Sequence, residues 1–134
     1  MNNYKKLAEE AIKAKSKGLP KYSNFHVGAA LLTKDGKIFH GANIENSSYG
    51  LTICAERTAA FSAIIEGERE FSAIAIASDA KDFLPPCGAC RQVLLELCGK
   101  ELEVVMINHN QKIKKIKLSE LIPFSFGEEH LKND

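Results

Sequence analysis

Two short stretches hold residues that could do chemistry together: Cys54-Ala55-Glu56 and Pro86-Cys87-Gly88-Ala89-Cys90. They offer three thiols and one carboxylate. A structural zinc is closed by four protein ligands, whereas a catalytic zinc keeps one position for water. Three sulfurs leave that fourth position free. Glu56 stands two residues after the first sulfur, so on a helix start it points near the metal without binding it. A carboxylate placed there can take a proton from metal-bound water and pass it on. A redox Cys-x-x-Cys pair at Cys87 and Cys90 is the main rival, and it leaves Cys54 and Glu56 without a role. Disulfides among the four cysteines would need an oxidising compartment, and a chain of this size can do without them.

Electrostatics adds a requirement. Three thiolates and one zinc carry a net charge of about −1, and such strong donation weakens the acidification of bound water. A cation is therefore expected beside the sulfurs. Arg57 and Arg91 each directly follow a motif residue. Arg57 either compensates the ligand charge or forms a surface ion pair; for Arg91 the ion pair is the expectation.

These residues must be brought together from positions more than thirty apart. Cys54 follows a polar loop and Cys87 follows a Pro85-Pro86 corner, so each opens an expected helix. Helix N-termini carry partial positive charge and unpaired N–H groups, which favour thiolate over thiol. Two helices starting side by side at one end of a sheet would gather the three sulfurs at one point.

The surrounding pattern supplies such a sheet. Residues 3–17 form an expected helix with Tyr4, Leu7, Ala8, Ala11 and Ala14 on one face, stopped by Gly18-Leu19-Pro20. Strands are expected over 25–33 and 37–44, joined by Lys34-Asp35-Gly36 as a hairpin. Gly28-Ala29-Ala30 permits close backbone approach within the first of them. A helix over 54–66, rich in alanine, ends at Gly67, and a continuous apolar strand spans 72–78. The helix over 87–98 carries Cys90, Val93, Leu94 and Leu97 inward, with Gly99 at its end; Cys98 shares that stripe as a small apolar residue. A buried strand over 102–107, an edge strand over 113–117 and a helical turn over 118–121 follow. This order predicts an α/β fold, a three-layer α/β/α sandwich with a mixed sheet of about five strands, as one domain over 1–134.

Bulk properties exclude several classes. The chain is 45% apolar and 26% charged with a net charge of +1, ordinary for a globular protein and without a field for nucleic acid or an anionic membrane. The lysines of 112–117 read as edge charges that discourage strand pairing. Met1-Asn2-Asn3-Tyr4-Lys5-Lys6 lacks the apolar core of a signal peptide and no run reaches membrane-spanning length, so a cytoplasmic location is expected.

With these motifs assembled, the chain resembles the zinc-dependent cytidine deaminases of the small homotetrameric kind. The resemblance rests on Tyr22-Ser-Asn-Phe-His-Val-Gly-Ala-Ala30, Gly41-Ala-Asn-Ile-Glu-Asn46, Cys54-Ala-Glu-Arg-Thr-Ala59 and Pro86-Cys-Gly-Ala-Cys-Arg-Gln92, in that order and over nearly the whole length. It implies hydrolytic deamination of cytidine and 2′-deoxycytidine in pyrimidine salvage, one zinc per subunit on Cys54, Cys87 and Cys90, and Glu56 as the proton carrier. It implies further that the Ala55 amide holds the base carbonyl, Asn43 and Glu45 bind the ribose hydroxyls, Phe25 packs on base or sugar, and Arg57 hydrogen-bonds the ligand sulfurs. Phe126 matches a tail position that reaches a neighbouring subunit's site in a homotetramer, although Phe124 lies beside it and its own domain could equally receive it. No nucleic-acid or membrane partner is implied. A nucleic-acid editor, a non-catalytic zinc module and a deaminase of a cytosine-containing antibiotic such as blasticidin S are the alternatives.

Overall fold

The computed structural model describes residues 3–131, so the ends of the expected 1–134 domain, residues 1–2 and 132–134, lie outside the described residues. The first helix, α1 (Asn3–Ala14), passes into a 3-10 turn over Lys15–Lys17 rather than running on as α-helix to 17. Strands β1 (Val27–Thr33) and β2 (Ile38–Ala42) form the expected hairpin around Gly36, whose φ is +94°. Both strands are shorter than the sequence pattern predicts, because the chain around Phe25 and beyond Ala42 leaves the ladder to build loops. Helix α2 (Ala55–Ile65), β3 (Phe71–Ser78), α3 (Gly88–Cys98), β4 (Glu103–Ile107), β5 (Ile113–Lys117) and the short α4 (Leu118–Leu121) complete the order.

The five strands form one mixed sheet in the order β2-β1-β3-β4-β5. Only β3 and β4 pair in parallel; the other neighbours are antiparallel. A parallel pair needs a crossover, which α3 provides. Alternation along the strands separates two cores. Ala30, Ala73, Ala75, Ala77 and Val105 pack under α1 with Leu7 and Ala11, while Leu31, Ile74, Ile76, Val104 and Met106 pack under α2 and α3. This is a three-layer α/β/α arrangement. On α3 the fully inward residues are Cys90, Leu94 and Leu95, whereas Val93 and Leu97, expected inward, are half-buried. The helix is rotated so that Leu95, one residue after Leu94, shares the burial.

Two glycines set how closely the helices lie. A Cβ on Gly28 would stand 2.2 Å from the Ala11 carbonyl oxygen of α1, and one on Gly41 would stand 2.2 Å from that of Ala55 in α2. The alanine-rich helices therefore rest directly on strand backbone. Because β2 and β3 are both antiparallel to β1, they run the same way. The helices that follow them, α2 and α3, thus begin at the same end of the sheet, where ligands bind in open α/β folds.

Candidate metal centre

Cys54 and Cys87 are the N-cap residues of α2 and α3, each in extended backbone conformation, and Cys90 lies in the first turn of α3. The sequence placed both cysteines at the first helical residue; they stand one position earlier, where the N–H groups of the first turn surround the sulfur. Sγ of Cys54 lies 3.7 Å from that of Cys87, which lies 3.5 Å from that of Cys90. All three sulfurs fall within 4.8 Å of one another. In a tetrahedron with Zn–S bonds of about 2.3 Å, neighbouring sulfurs stand roughly 3.8 Å apart. The spacing fits one zinc ion with a fourth position open, and among the described residues this is the one such cluster of His, Cys, Asp or Glu. No histidine joins it.

Glu56, in the first turn of α2, is only 3% exposed. Burial pushes its carboxyl up to about 7; the negative Cys54 sulfur adds to the rise, while its own backbone N–H, Arg57 and Cys90 oppose it. Cys54 and Cys90 pull each other's protonation in opposite directions. Cys54 is lowered to about 5, first by hydrogen bonding with Cys90 and further by Arg57 and Cys87, whereas Cys90 is raised by its bond to Cys54 and by burial. Arg57 Nη2 donates to Cys54 Sγ at 3.5 Å, so one cation stands beside the sulfurs. Its Nε is buried without a hydrogen-bond partner among the described residues.

Arg91 differs from expectation. Instead of a surface ion pair it makes two bonds to backbone carbonyls, from Nε to Pro86 at 2.7 Å and from Nη1 to Leu121 at 2.7 Å. It fastens the corner before Cys87 to the end of α4. Neighbouring Gln92 donates to the Phe126 carbonyl at 2.9 Å, and the exposed Phe126 ring stacks on His130. Phe124 is fully exposed with φ +52°. Cys98 is half-buried, away from the cluster, and burial pushes its thiol up to about 12.

The remaining site candidates lie around the end of β2. Strand β2 ends at Ala42 rather than running on to 44, so Asn43 and Glu45 stand in the loop beyond it. Asn43 is 8% exposed and holds the start of β1: Oδ1 accepts from Val27 N at 3.0 Å and Nδ2 donates to the Phe25 carbonyl at 2.8 Å. Phe25 itself is half-buried against the core beneath α2 and α3. Oε1 of Glu45 accepts from the amides of Tyr22 and Ser23 at 2.8 and 3.0 Å, and Oε2 accepts from the Ser23 hydroxyl. These bonds, the Ser23 hydroxyl first, hold the Glu45 carboxyl below the usual range. Tyr22, Ser23, Glu45, Tyr49 and Thr52 line a cavity of about 370 Å³. Ala55 is fully buried as the first residue of α2.

Sequence reasoning missed two anchors. The turn at Tyr22-Ser23-Asn24, with Asn24 at φ +56°, is what orients Glu45. The Thr58 hydroxyl ties α2 to the end of β2: it accepts from the Ala42 amide and donates its one proton either to the Ala42 carbonyl or back to that of Ala55. Serine two residues before an aromatic, and threonine one turn into a helix, are the local patterns that could have pointed to both.

Fold and sulfur triad together define a protein that holds one metal ion between two helix N-termini beside a buried carboxyl group. The family model of the cytidine and deoxycytidylate deaminase zinc-binding region matches residues 1–106. A cytidine deaminase of Halalkalibacterium halodurans is 53% identical over 125 residues, covering 93% of this chain and 95% of that one. The crystal structure of cytidine deaminase from Burkholderia pseudomallei superposes with a TM-score of 0.88 at 50% identity, covering 90% of this chain and 97% of that one. A blasticidin-S deaminase of Bacillus cereus is 35% identical over 109 residues, covering 75% and 76%. The chain belongs to the cytidine and deoxycytidylate deaminase family. That family's zinc-binding region and the Cys54, Cys87 and Cys90 cluster agree on one metal ion.

Proposed function

We propose that this chain deaminates cytidine and 2′-deoxycytidine to the uridines and ammonia, with zinc held by Cys54, Cys87 and Cys90. The observation that carries the reading is the sulfur triad at two adjacent helix starts with a buried Glu56 beside it. Bound there, zinc acts as a Lewis acid that supplies hydroxide near neutral pH. Glu56 is the proton carrier, delivering one proton to N3 of the cytosine ring and another to the departing amine. Its carboxyl is buried beside the three sulfurs, within reach of the position the metal would take. The Ala55 amide, at the first turn of α2 where N–H groups lack intrahelical partners, holds the base carbonyl. Asn43 and Glu45 grip the ribose hydroxyls: Glu45 is oriented and ionised by Ser23 and Tyr22, and Asn43 is fixed by the backbone around Phe25. Phe25 packs on base or sugar, and Arg57 offsets the negative charge of the ligands.

The enzyme works in pyrimidine salvage in the cytoplasm as a homotetramer, with Phe126 reaching a neighbouring subunit's site. Exposed apolar side chains support the assembly: Leu19, Ile44, Tyr49 and Leu51 around the Glu45 loop, and Phe124 and Phe126 in the tail. Among the described residues no helix is long and apolar enough to cross a membrane. The net charge of +1 gives no strand-binding surface for a nucleic-acid editor. The test is absorbance-monitored conversion of cytidine to uridine, with and without chelator. Conversion that chelator abolishes and zinc restores is expected. Cytidine left untouched while blasticidin S or single-stranded nucleic acid is deaminated overturns the proposal.

A further inference from the structure

Strand β2 lies at the edge of the sheet, and its last residue, Ala42, pairs with Gly28 without using its own N–H and C=O, because the next pair along, Asn43 with Val27, makes the ladder bond. The two backbone groups of Ala42 therefore point away from β1, toward α2. One side chain serves both. Thr58 Oγ1 accepts from Ala42 N at 3.0 Å and lies 3.0 Å from Ala42 O and 2.9 Å from Ala55 O, the two carbonyls its single proton can reach. Beneath it, Gly41 lets the first turn of α2 rest on strand backbone, with no room even for a methyl group. A hydroxyl and a bare glycine thus pin the turn carrying Cys54 and Glu56 to the residue that immediately precedes Asn43.

We propose that Thr58 is a positioning residue, which fixes the distance between the metal-bearing turn of α2 and the sugar-gripping segment from Asn43 to Glu45. The proposal rests on the reading that Asn43 and Glu45 bind ribose. Thr58 touches neither metal nor nucleoside; it acts through Ala42. Removing its hydroxyl strands the N–H and C=O of the buried Ala42 and loosens the strand end, leaving the Ile44–Ile53 backbone pair to hold the segment to the start of α2. A sub-ångström shift there leaves the sulfurs together, since their cysteines are set by the starts of α2 and α3, by the Ile44–Ile53 backbone pair and by the Arg91 bonds to Pro86 and Leu121, none of which uses the Thr58 hydroxyl. It moves the sugar grip against the reacting base.

The test compares wild type, Thr58→Val and Thr58→Ser as zinc-loaded full chains, with cytidine and with 2′,3′-dideoxycytidine, which lacks the 2′ and 3′ hydroxyls and keeps the 5′ one. Thr58→Val should keep one zinc per chain and lose at least about tenfold in kcat/KM for cytidine, whereas Thr58→Ser should stay within about threefold of wild type. The selective readout is the ratio of kcat/KM between the two nucleosides, which should shrink at least about fivefold in Thr58→Val because the sugar contact is already misplaced. If Thr58→Val yields no folded protein, Thr58→Ala, which strands the same backbone groups, takes its place. An unchanged nucleoside ratio, loss of zinc, or a serine variant as impaired as the valine variant overturns the assignment. Wild type that does not deaminate cytidine overturns instead the reading on which it rests.

Discussion

Replacing Gly41 by alanine puts a methyl group where α2 lies on the sheet. The new Cβ would stand 2.2 Å from the Ala55 carbonyl oxygen, 2.5 Å from Ala59 N and 2.6 Å from Thr58 Oγ1, and ordinary contact begins at 3.4 Å. Restoring that spacing against Ala55 needs 3.4 − 2.2 = 1.2 Å of movement between β2 and α2. The two nearest of these three obstacles are backbone, so no side-chain rotation relieves them. Overpacking of this kind costs about 1–3 kcal/mol, and a misplacement of about 1 Å at a catalytic group costs about 100-fold in rate. Gly28→Ala supplies a matched control. Its Cβ would meet Ala11 O at 2.2 Å and Lys15 N at 2.5 Å, the same crowding on the opposite face, but α1 carries none of the site residues. Gly50→Ala, with nothing within 4 Å, should be silent. Urea unfolding and cytidine turnover, measured on all three, should show similar stability losses for the first two and a much larger loss of activity for Gly41→Ala. Wild-type turnover in Gly41→Ala would refute the claim that backbone contact between β2 and α2 sets the site.

Other consequences follow from single side chains. Arg57→Ala removes a charge-assisted bond to Cys54 worth about 1.5–3 kcal/mol, so zinc retention against a competing chelator or turnover should fall roughly 10- to 100-fold. Unchanged values for both would discard the charge-compensation role. Arg91→Ala frees the Pro86 and Leu121 carbonyls and should cost about 1–3 kcal/mol in urea unfolding; a loss under about 0.5 kcal/mol would show the clamp to be idle. Asp79 is held below the usual carboxylate range, first by the His26 amide and then by the His26 ring and Lys15. Its stabilising contribution is therefore complete above the unfolded value near about 3.9 and fades as pH falls through the lower folded value. Asp79→Asn should flatten the acid limb of stability against pH, and an unaltered limb would remove that contribution.

The sequence disclosed the chemistry better than its supports. Cysteines at two helix starts and a carboxylate two residues on are local patterns, and the order of apolar runs was enough to expect a mixed five-stranded sheet between helix layers. Harder to see was anything resting on contacts between distant segments. Asn43 looks like a free polar residue at a strand end, yet both ends of its amide are bonded to the backbone of Phe25 and Val27. Arg91 has the form of a surface charge, but the carbonyls it finds belong to a corner before it and a helix end thirty residues after it. Thr58 sits inside a recognisable motif; that it closes the open edge of β2 depends on pairing in the hairpin, which no spacing in the sequence reveals. The burial of Leu95 beyond that of Val93 and Leu97 reflects how α3 is rotated against the sheet, a property of packing rather than of periodicity.

The most direct measurement is cytidine turnover per bound zinc in wild type and Glu56→Gln, with metal content determined on the same samples. The account predicts equal zinc, one ion per chain, and at least about a thousandfold slower turnover in the variant, since its amide cannot carry the protons. Comparable turnover at equal zinc, or active wild-type protein without bound metal, would contradict it.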